Sequence, residues 1–223
     1  STQFLLLVDS REGKYWLRVD LASKEAEPAD WSRLFSGEPR RIEWDLAREN
    51  RLFAFDDGNL DRIDVASRAV HSKFLQNIRG FGLHGKSLYV LGEDRVVLKM
   101  DQDGSDRQIL LDDPVLARQI FGEKSWFEIR VLSEDLIVFL GEKGELLTSR
   151  FPYQFVEEGA AGFDFYPQRE LLLVWKKDQL GVLDFSAGVK EEKVFERGPE
   201  LLWVFKGGEE IEQAFWVYEG SHI

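Results

Sequence analysis

The 223-residue sequence has no cysteine, which excludes disulfide bonds, thiolate catalysis and zinc sites built on cysteine. It also lacks long apolar runs: none exceeds five residues, as in residues 4–8 and 171–175. A helix that crosses a bilayer needs about 20 apolar residues. We therefore expect no direct membrane insertion within this chain.

Basic residues are scarce relative to acidic ones, with 29 Lys and Arg against 41 Asp and Glu and a formal net charge of −12. A protein that binds a nucleic-acid backbone needs clustered Lys and Arg to displace counterions. We therefore expect protein partners and no nucleic acid. The hydrophobic fraction of 43% is ordinary for a soluble globular protein.

One short phrase recurs along the chain. Residues 17–24, Leu-Arg-Val-Asp-Leu-Ala-Ser-Lys, return as residues 61–68, Asp-Arg-Ile-Asp-Val-Ala-Ser-Arg, with nearly every position identical or chemically alike. Aligning the aspartate finds further copies at intervals of 44, 37, 48 and 35 residues, and a serine replaces one aspartate. The aligned positions are Asp20, Asp64, Asp101, Ser149 and Asp184. Repeats of about 40 to 50 residues are typical of β-propeller blades.

Strand patterns dominate between these positions, because short apolar runs alternate with turns rich in Gly, Asp, Asn and Ser. We therefore predict an all-β fold, a β-propeller of four-stranded antiparallel blades. One blade has its strands at residues 78–83, 87–91, 95–100 and 107–111, and the others cover residues 40–75, 126–157 and 160–196. The single helical pattern, at residues 113–119, is expected in a connecting loop.

The two ends of the chain leave the closure of the ring open. The N-terminus is predicted to supply the second to fourth strands of a blade, and the C-terminus an inner strand near residues 201–205 and a second strand near residues 213–218. Together the two ends supply five strands, one more than a four-stranded blade contains. We therefore expect one propeller domain over residues 1–223, either with five blades or as part of a larger ring of six or more, and either complete or a fragment of a larger chain.

Part of the repeat resembles a known class of propeller. Residues 62–70 resemble the YVTN-like repeat, and so do Leu88-Tyr89-Val90, a turn, and a strand over residues 97–101 that ends on Asp101. Leu91-Gly92 stands where that repeat has Asn. The resemblance implies the propeller fold and assigns no activity.

Two groups of residues are candidates for ligand or metal binding. Carboxylates alternate around Gly104 at Asp101, Asp103 and Asp106, a pattern that fits either a calcium site or a solvated turn, and no other cofactor is expected. Charged residues also fall in or beside predicted inner strands, where a propeller would bring them to the mouth of its central channel. These candidate ligand-binding residues are Arg41, Arg79, Arg130 and Asp164.

Aromatic residues are the candidates for partner contact. Trp31 lies in a polar stretch, and Phe215 and Trp216 lie in an apolar strand that would be an unpaired edge without a partner to cover it.

No catalytic residue can be assigned, because the sequence has neither a Gly-x-Ser-x-Gly motif nor a phosphate-binding loop. The pattern favours a non-catalytic propeller that serves as a protein–protein interaction platform, a scaffold within a larger assembly. There are two alternatives. One is a site at the channel mouth, either for a small ligand or for lactonase-like metal-dependent hydrolysis. The other is carbohydrate binding through exposed tryptophans. The absence of cysteine and of an initial Met favours an extracytoplasmic, periplasmic location, with a cytoplasmic one left open.

Overall fold

The computed structural model describes residues 3–10, 13–20, 22–29, 35, 39–45, 47–48, 50–122, 126–149, 154–186 and 201–217. In this part of the chain, strands form five antiparallel sheets and one helix joins two of them. The chain divides into two compact units, Ser1–Asn77 and Ile78–Ile223, and each is described by itself. No helix of the described residues has the length and hydropathy to cross a membrane.

The first unit contains two sheets. The first sheet has the order β1-β2-β3, and the second sheet has the order β4-β5-β6-β7. Leu52, Ala54 and Ile63 form one buried cluster of the second sheet. The strands are β1 (Gln3–Ser10), β2 (Gly13–Asp20), β3 (Glu25–Ala29), β4 (Arg41–Trp44), β5 (Arg51–Asp56), β6 (Asn59–Asp64) and β7 (Ala69–Gln76).

A buried ion pair closes the turn between β4 and β5. Asp45 is 2% exposed and Arg51 is 8% exposed, and both Nε and Nη2 of Arg51 donate to Oδ2 of Asp45. The other carboxylate oxygen of Asp45 accepts a hydrogen bond from the backbone amide of Ala47 at 2.8 Å. The turn therefore depends on a charge pair that has been removed from water.

The second unit contains three four-stranded sheets, the third, fourth and fifth of the chain, each with its strands in sequence order across the sheet. Helix α1 (Pro114–Phe121) connects the third sheet to the fourth. The strands are β8 (Ile78–His84), β9 (Ser87–Gly92), β10 (Val97–Asp101) and β11 (Gln108–Leu111), then β12 (Phe127–Ser133), β13 (Leu136–Gly141), β14 (Leu146–Thr148) and β15 (Gln154–Glu157), then β16 (Gly162–Tyr166), β17 (Leu171–Trp175), β18 (Gln179–Asp184) and β19 (Leu201–Lys206).

These boundaries confirm the predicted strands of residues 78–111 and the phase of the repeat. In the second, third and fifth sheets, the strand that ends on the repeated aspartate is the third strand, at Asp64, Asp101 and Asp184. Ser149 follows the third strand of the fourth sheet, where its Oγ accepts a hydrogen bond from the amide of Ile137 at 2.8 Å. The repeat therefore marks where a strand stops and a turn begins.

The predicted helix is also confirmed, and it is longer than expected. The Asp113 side chain caps it by accepting hydrogen bonds from the amides of Val115 at 2.9 Å and Leu116 at 3.0 Å. Pro114 occupies the first turn, where a missing N–H costs nothing. Phe121 at the other end is 1% exposed and enters the core between the third and fourth sheets. The helix therefore belongs to the core as well as to a connection.

The C-terminal predictions are confirmed only in part, since a strand is present over residues 201–205 but its place in the sheet was predicted wrongly. The strand predicted as an inner one near residues 201–205 is β19, the outermost strand of the fifth sheet, paired with β18. Residues 211–216 form no strand, and instead Ile211, Ala214 and Trp216 pack on Leu173 and Trp175 of β17. The error arose because an unbroken apolar run usually marks a buried strand, whereas β19 is an edge strand.

The fourth sheet is buried on both faces, as the apolar run of β13 requires. Ile137 and Phe139 point to the third sheet, while Leu136 and Val138 point to the fifth. Strand β12 lies close against β8, because two glycines of β8 face its backbone. A Cβ atom would lie 2.2 Å from the Phe127 carbonyl oxygen at Gly80, and 2.6 Å from the Ile129 carbonyl oxygen at Gly82. These two positions therefore accept no side chain.

We expect Gly80→Ala to lower the free energy of unfolding by about 2 kcal/mol, because the new methyl group must displace a backbone carbonyl. Gly208→Ala is the matched control, since no atom lies within 4 Å of its Cβ position. Urea unfolding followed by tryptophan fluorescence measures both variants. Equal midpoints for the two variants would contradict the close contact between β8 and β12.

We expect Asp45→Asn to lower the free energy of unfolding by about 3 kcal/mol, because it leaves the charge of Arg51 buried without its counter-charge. Glu210→Gln breaks the exposed pair between Lys177 and Glu210, whose charged atoms are 3.7 Å apart. That control should cost less than about 1 kcal/mol. Thermal and urea unfolding measure the stability of both variants. If Asp45→Asn lost as little stability as Glu210→Gln, the ion pair would not stabilise the turn.

Candidate ligand cleft and exposed edge strand

Two of the four predicted channel residues are engaged in local packing. Arg41 belongs to the first unit and forms an ion pair with Glu43, two residues further along β4. Arg79 is 6% exposed, and its Nη2 donates a hydrogen bond to the carbonyl oxygen of Phe121 at 2.8 Å. Its guanidinium carbon lies 5.2 Å from the centre of the Phe127 ring. The side chain of Arg79, on β8, therefore contacts both α1 and β12.

Burial is the main cause that lowers the pKa of Arg79, and the nearby charge of Arg95 adds to it. Arg95 also reaches the end of α1, where its Nε donates to the carbonyl oxygen of Gly122 at 2.9 Å. The last carbonyl groups of a helix lack partners within the helix and carry partial negative charge. Two arginine side chains therefore satisfy the C-terminal end of α1.

The other two predicted channel residues line one cleft. Arg130 lies on β12 and Asp164 on β16, and these are the first strands of the fourth and fifth sheets. The cleft between them has a volume of about 550 Å³, a size typical of ligand sites. Its lining residues are Glu128, Arg130, Val131, Leu132, Leu140, Ala161, Gly162, Phe163, Asp164, Phe165, Pro167 and Trp175.

Three charged residues are among those that line this cleft, two acidic and one basic. The Nε of Arg130 donates to Oε1 of Glu128 at 2.7 Å, and the Arg130 side chain is 56% exposed. Asp164 is half-buried and pairs with Leu173 of β17, so its side chain lies on the face of the fifth sheet opposite to that of Phe163. There its Oδ2 accepts a hydrogen bond from the backbone amide of Trp216 at 2.9 Å.

Trp175 lies on the same face of the fifth sheet as Asp164 and has an unusual polar atom. Gly162 makes room for its ring, since a Cβ at that glycine would lie 2.2 Å from Cζ2 of the indole. The tryptophan is 8% exposed, and its Nε1 is buried with no hydrogen-bond partner among the described residues. A buried donor of this kind is uncommon, because leaving it unpaired costs about 1–3 kcal/mol.

The three predicted partner residues differ in their exposure. Trp31 lies outside the described residues. Phe215 is 57% exposed, whereas Trp216 is half-buried and its ring centre is 6.0 Å from that of Tyr166. Of the two that are described, Phe215 alone presents its ring to solvent.

Of the three candidate calcium ligands, Asp101 ends β10, and Asp103 and Asp106 lie in the turn that follows it. Oδ1 of Asp103 accepts hydrogen bonds from the amide of Ser105 at 2.9 Å and from its hydroxyl at 2.6 Å. The backbone carbonyl of Asp101 accepts a bond from the amide of Gly104 at 2.8 Å, and Asp106 has a positive φ of 49°. In the described part of the chain, no three His, Asp or Glu side chains are grouped so that they could hold a metal ion.

Two other copies of the repeat also have an aspartate–serine pair, and there the repeated aspartate itself is the acceptor, with the serine three or two residues further on. Oδ1 of Asp64 accepts bonds from the amide of Ser67 at 2.8 Å and from its hydroxyl at 2.7 Å, and Asp184 does the same with Ser186. These bonds lower the pKa of Asp64, with the hydroxyl of Ser67 as the largest cause. An aspartate–serine pair is therefore a local turn device of this repeat.

The sequence analysis missed two features. Glu128 precedes Arg130 by two residues, so the period of a strand already places both on one face. Exposed apolar side chains on β19 were missed as well: Leu202 is 67% exposed, Val204 51% and Phe205 50%. Among the described residues β19 pairs only with β18, so its outer edge also presents backbone N–H and C=O groups. The apolar run of residues 201–205 was the available signal.

Comparisons with solved structures give the fold. The N-terminal domain of Nup159 matches with a TM-score of 0.53 and 12% identity, over 89% of this chain and 62% of that one. Nup159 in an S. cerevisiae complex with Dbp5, Gle1, IP6 and ADP matches with a TM-score of 0.52 and 12% identity, over 82% and 58%. This chain thus spans about three fifths of the proteins it resembles. No family model and no curated protein sequence matches it.

The four-stranded antiparallel sheets, taken in sequence order, and these likenesses identify a β-propeller fold. The predicted fold class is confirmed. At 12% identity the likeness describes the fold alone, and the function has to be argued from the residues of this chain.

We expect Ser67→Ala to raise the pKa of Asp64 toward the ordinary value of 3.8, because it removes the hydroxyl that stabilises the carboxylate. Ser67→Thr keeps a hydroxyl and should retain the lowered value. NMR titration of the Asp64 carboxyl carbon measures both. Since the pKa in the folded state lies below the ordinary value, the stabilisation is present at neutral pH and is lost as the pH falls below 3.8. An unchanged pKa in the alanine variant would contradict this account of the turn.

Proposed function

We propose that this chain is a non-catalytic propeller that binds a protein partner through the outer edge of the fifth sheet. The observation that carries the proposal is the exposed apolar edge strand β19, with Leu202 at 67% and Val204 at 51% exposure. Edge strands of stable proteins are usually protected by charges, proline or covering segments, because a bare edge pairs with other chains. In β19 the first charged residue is Lys206, at its end.

An edge of this kind fits addition of a strand from a partner. The backbone groups of β19 supply the hydrogen bonds, and alternate side chains of the incoming strand would contact the exposed apolar residues. Phe205, on β19 itself, adds aromatic surface at 50% exposure. Aromatic residues are enriched where protein interfaces gain most of their binding energy.

One likeness supports a binding role. Nup159, which has a similar fold, is bound to Dbp5 and Gle1 in one of the solved structures.

The same proposal includes an extracytoplasmic setting and a role as one component of a larger assembly. It also includes membership of the YVTN-like repeat class, in which Tyr89 occupies the second strand of the third sheet and Asp101 ends the third strand. The absence of cysteine is compatible with an oxidising compartment.

Affinity purification of the tagged protein from its native cells, followed by mass spectrometry, tests the proposal. We expect a stoichiometric protein partner with the wild type, and its loss with Leu202→Lys, because a lysine on the edge blocks strand pairing. Ile109→Lys is the matched control, since Ile109 is 57% exposed on β11, the outer strand of another sheet. It should retain the partner.

Two results would contradict the proposal. One is recovery of the wild-type chain alone from its native cells. The other is a partner that Leu202→Lys and Ile109→Lys retain equally, which would place the interaction elsewhere on the surface.

A further inference from the structure

We propose that the partner segment that pairs with β19 is an extended strand with apolar residues at alternate positions and Lys or Arg between them. This inference rests on the proposed function, since it concerns the same edge, and it goes further by naming the chemistry of the segment. The argument depends on a bulge in β19, on the difference between the two faces of the edge and on the charges around it.

A β-bulge places two exposed apolar side chains of β19 on one face. Leu202 pairs with Val182 of β18. Phe205 pairs with Leu180, and the register shifts before this pair because Val204 is an extra residue on β19. Val182 and Leu180 pack in one apolar cluster, so the residues of β19 opposite them share a face although they are three positions apart. An incoming strand therefore meets two exposed apolar side chains on this face.

The opposite face of the edge carries charge. Trp203 points to this face, since a Cβ at Gly181 would lie 3.0 Å from its Cε3 atom. The ammonium group of Lys176 lies 5.2 Å from the ring centre of Trp203 and 2.9 Å from Oε1 of Glu157. Apolar side chains of an incoming strand are thus favoured on the face of Leu202, and polar ones on the face of Trp203. Successive residues of a strand point to opposite faces, so this difference selects an alternating sequence.

The bulge also limits how the partner can pair. A strand that slides along β19 would have to cross Val204, where the spacing of the backbone groups changes. Residues 201–203 precede the bulge and pair with β18 without a shift. We therefore expect the backbone of the partner to pair with these three residues, and one of its side chains to reach Phe205.

The charges around the edge favour a basic segment. Residues 157–158, 176–178 and 206–212 lie around it, linked by the pair between Lys176 and Glu157 and by backbone hydrogen bonds from Gly207 to Asp178 and from Ile211 to Lys177. These stretches contain six acidic residues and three lysines. The net charge of −12 acts in the same direction, because it attracts basic segments and repels acidic ones and second copies of the chain.

The test compares three peptides. The first, acetyl-Lys-Val-Lys-Val-Lys-Val-Lys-amide, alternates. The second, acetyl-Lys-Lys-Val-Val-Val-Lys-Lys-amide, has the same composition and charge with its apolar residues together, and the third is the first with Glu in place of every Lys. NMR titration of the full chain should show at least about tenfold tighter binding of the first peptide than of the second, as expected when one aliphatic side chain stays in water. The third should not saturate, and the amide signals of residues 201–203 should shift with the first.

A variant of the apolar face tests where the alternating peptide binds. Leu202→Thr keeps a residue that favours strands but removes the apolar contact, so it should abolish the preference for the first peptide over the second. Ile109→Thr is the matched control, because Ile109 is exposed on the outer strand of the third sheet. It should leave the preference unchanged.

A charge variant tests the basic positions. Glu209→Gln combined with Glu212→Gln removes two exposed carboxylates beside the edge and should weaken binding of the first peptide about two- to fivefold. Glu93→Gln combined with Glu134→Gln changes the net charge equally in turns of other sheets and should weaken it less. Raising the salt concentration to about 1 M should remove the difference between these two variants.

The inference is overturned if the first peptide shows no saturable binding up to about 10 mM, if it binds no tighter than the second, or if the acidic peptide binds equally well. It is also overturned if Leu202→Thr retains the preference or if the two charge variants behave alike at low salt. Such a failure, with a cellular partner still lost in Leu202→Lys, would leave the proposed function standing. The expected peptide binding without any captured partner would instead contradict the proposed function alone.

Discussion

The close contact between strands β8 and β12 is the constraint on which the second unit depends. At Gly80 and Gly82, carbonyl oxygens of β12 occupy the space in which a side chain would begin. Because the strands lie this close, side chains of the third and fourth sheets interlock in one buried cluster that includes Phe121 of α1. Interiors packed at this density do not absorb small displacements. The position of Arg130 in the cleft thus depends on two glycines that lie outside it.

Arg79, a buried arginine beside this contact, stabilises the fold through its charge. Arg79 lies on an inner strand, where a functional role at the central channel was predicted. Its guanidinium group instead satisfies the carbonyl oxygen of Phe121 and lies over the ring of Phe127. Taking this cation out of water is costly, and the end of a helix dipole is one of the few uncharged partners that compensate for the cost. The sequence pattern predicts which strand a residue lies on, but it does not predict what its side chain contacts.

Much of the fold could be predicted, because the signals that encode it are local. The repeated aspartates end strands through turn hydrogen bonds to residues two or three positions away, so Asp64 and Asp184 report strand ends without any tertiary information. Asp113 and Pro114 likewise begin α1 by local capping. The order of strands across a sheet is not local. Residues 185–200 separate β18 from β19, and nothing in a run of five apolar residues distinguishes an edge strand from a buried one. The cleft has the same difficulty, since β12 and β16 meet only in the tertiary structure.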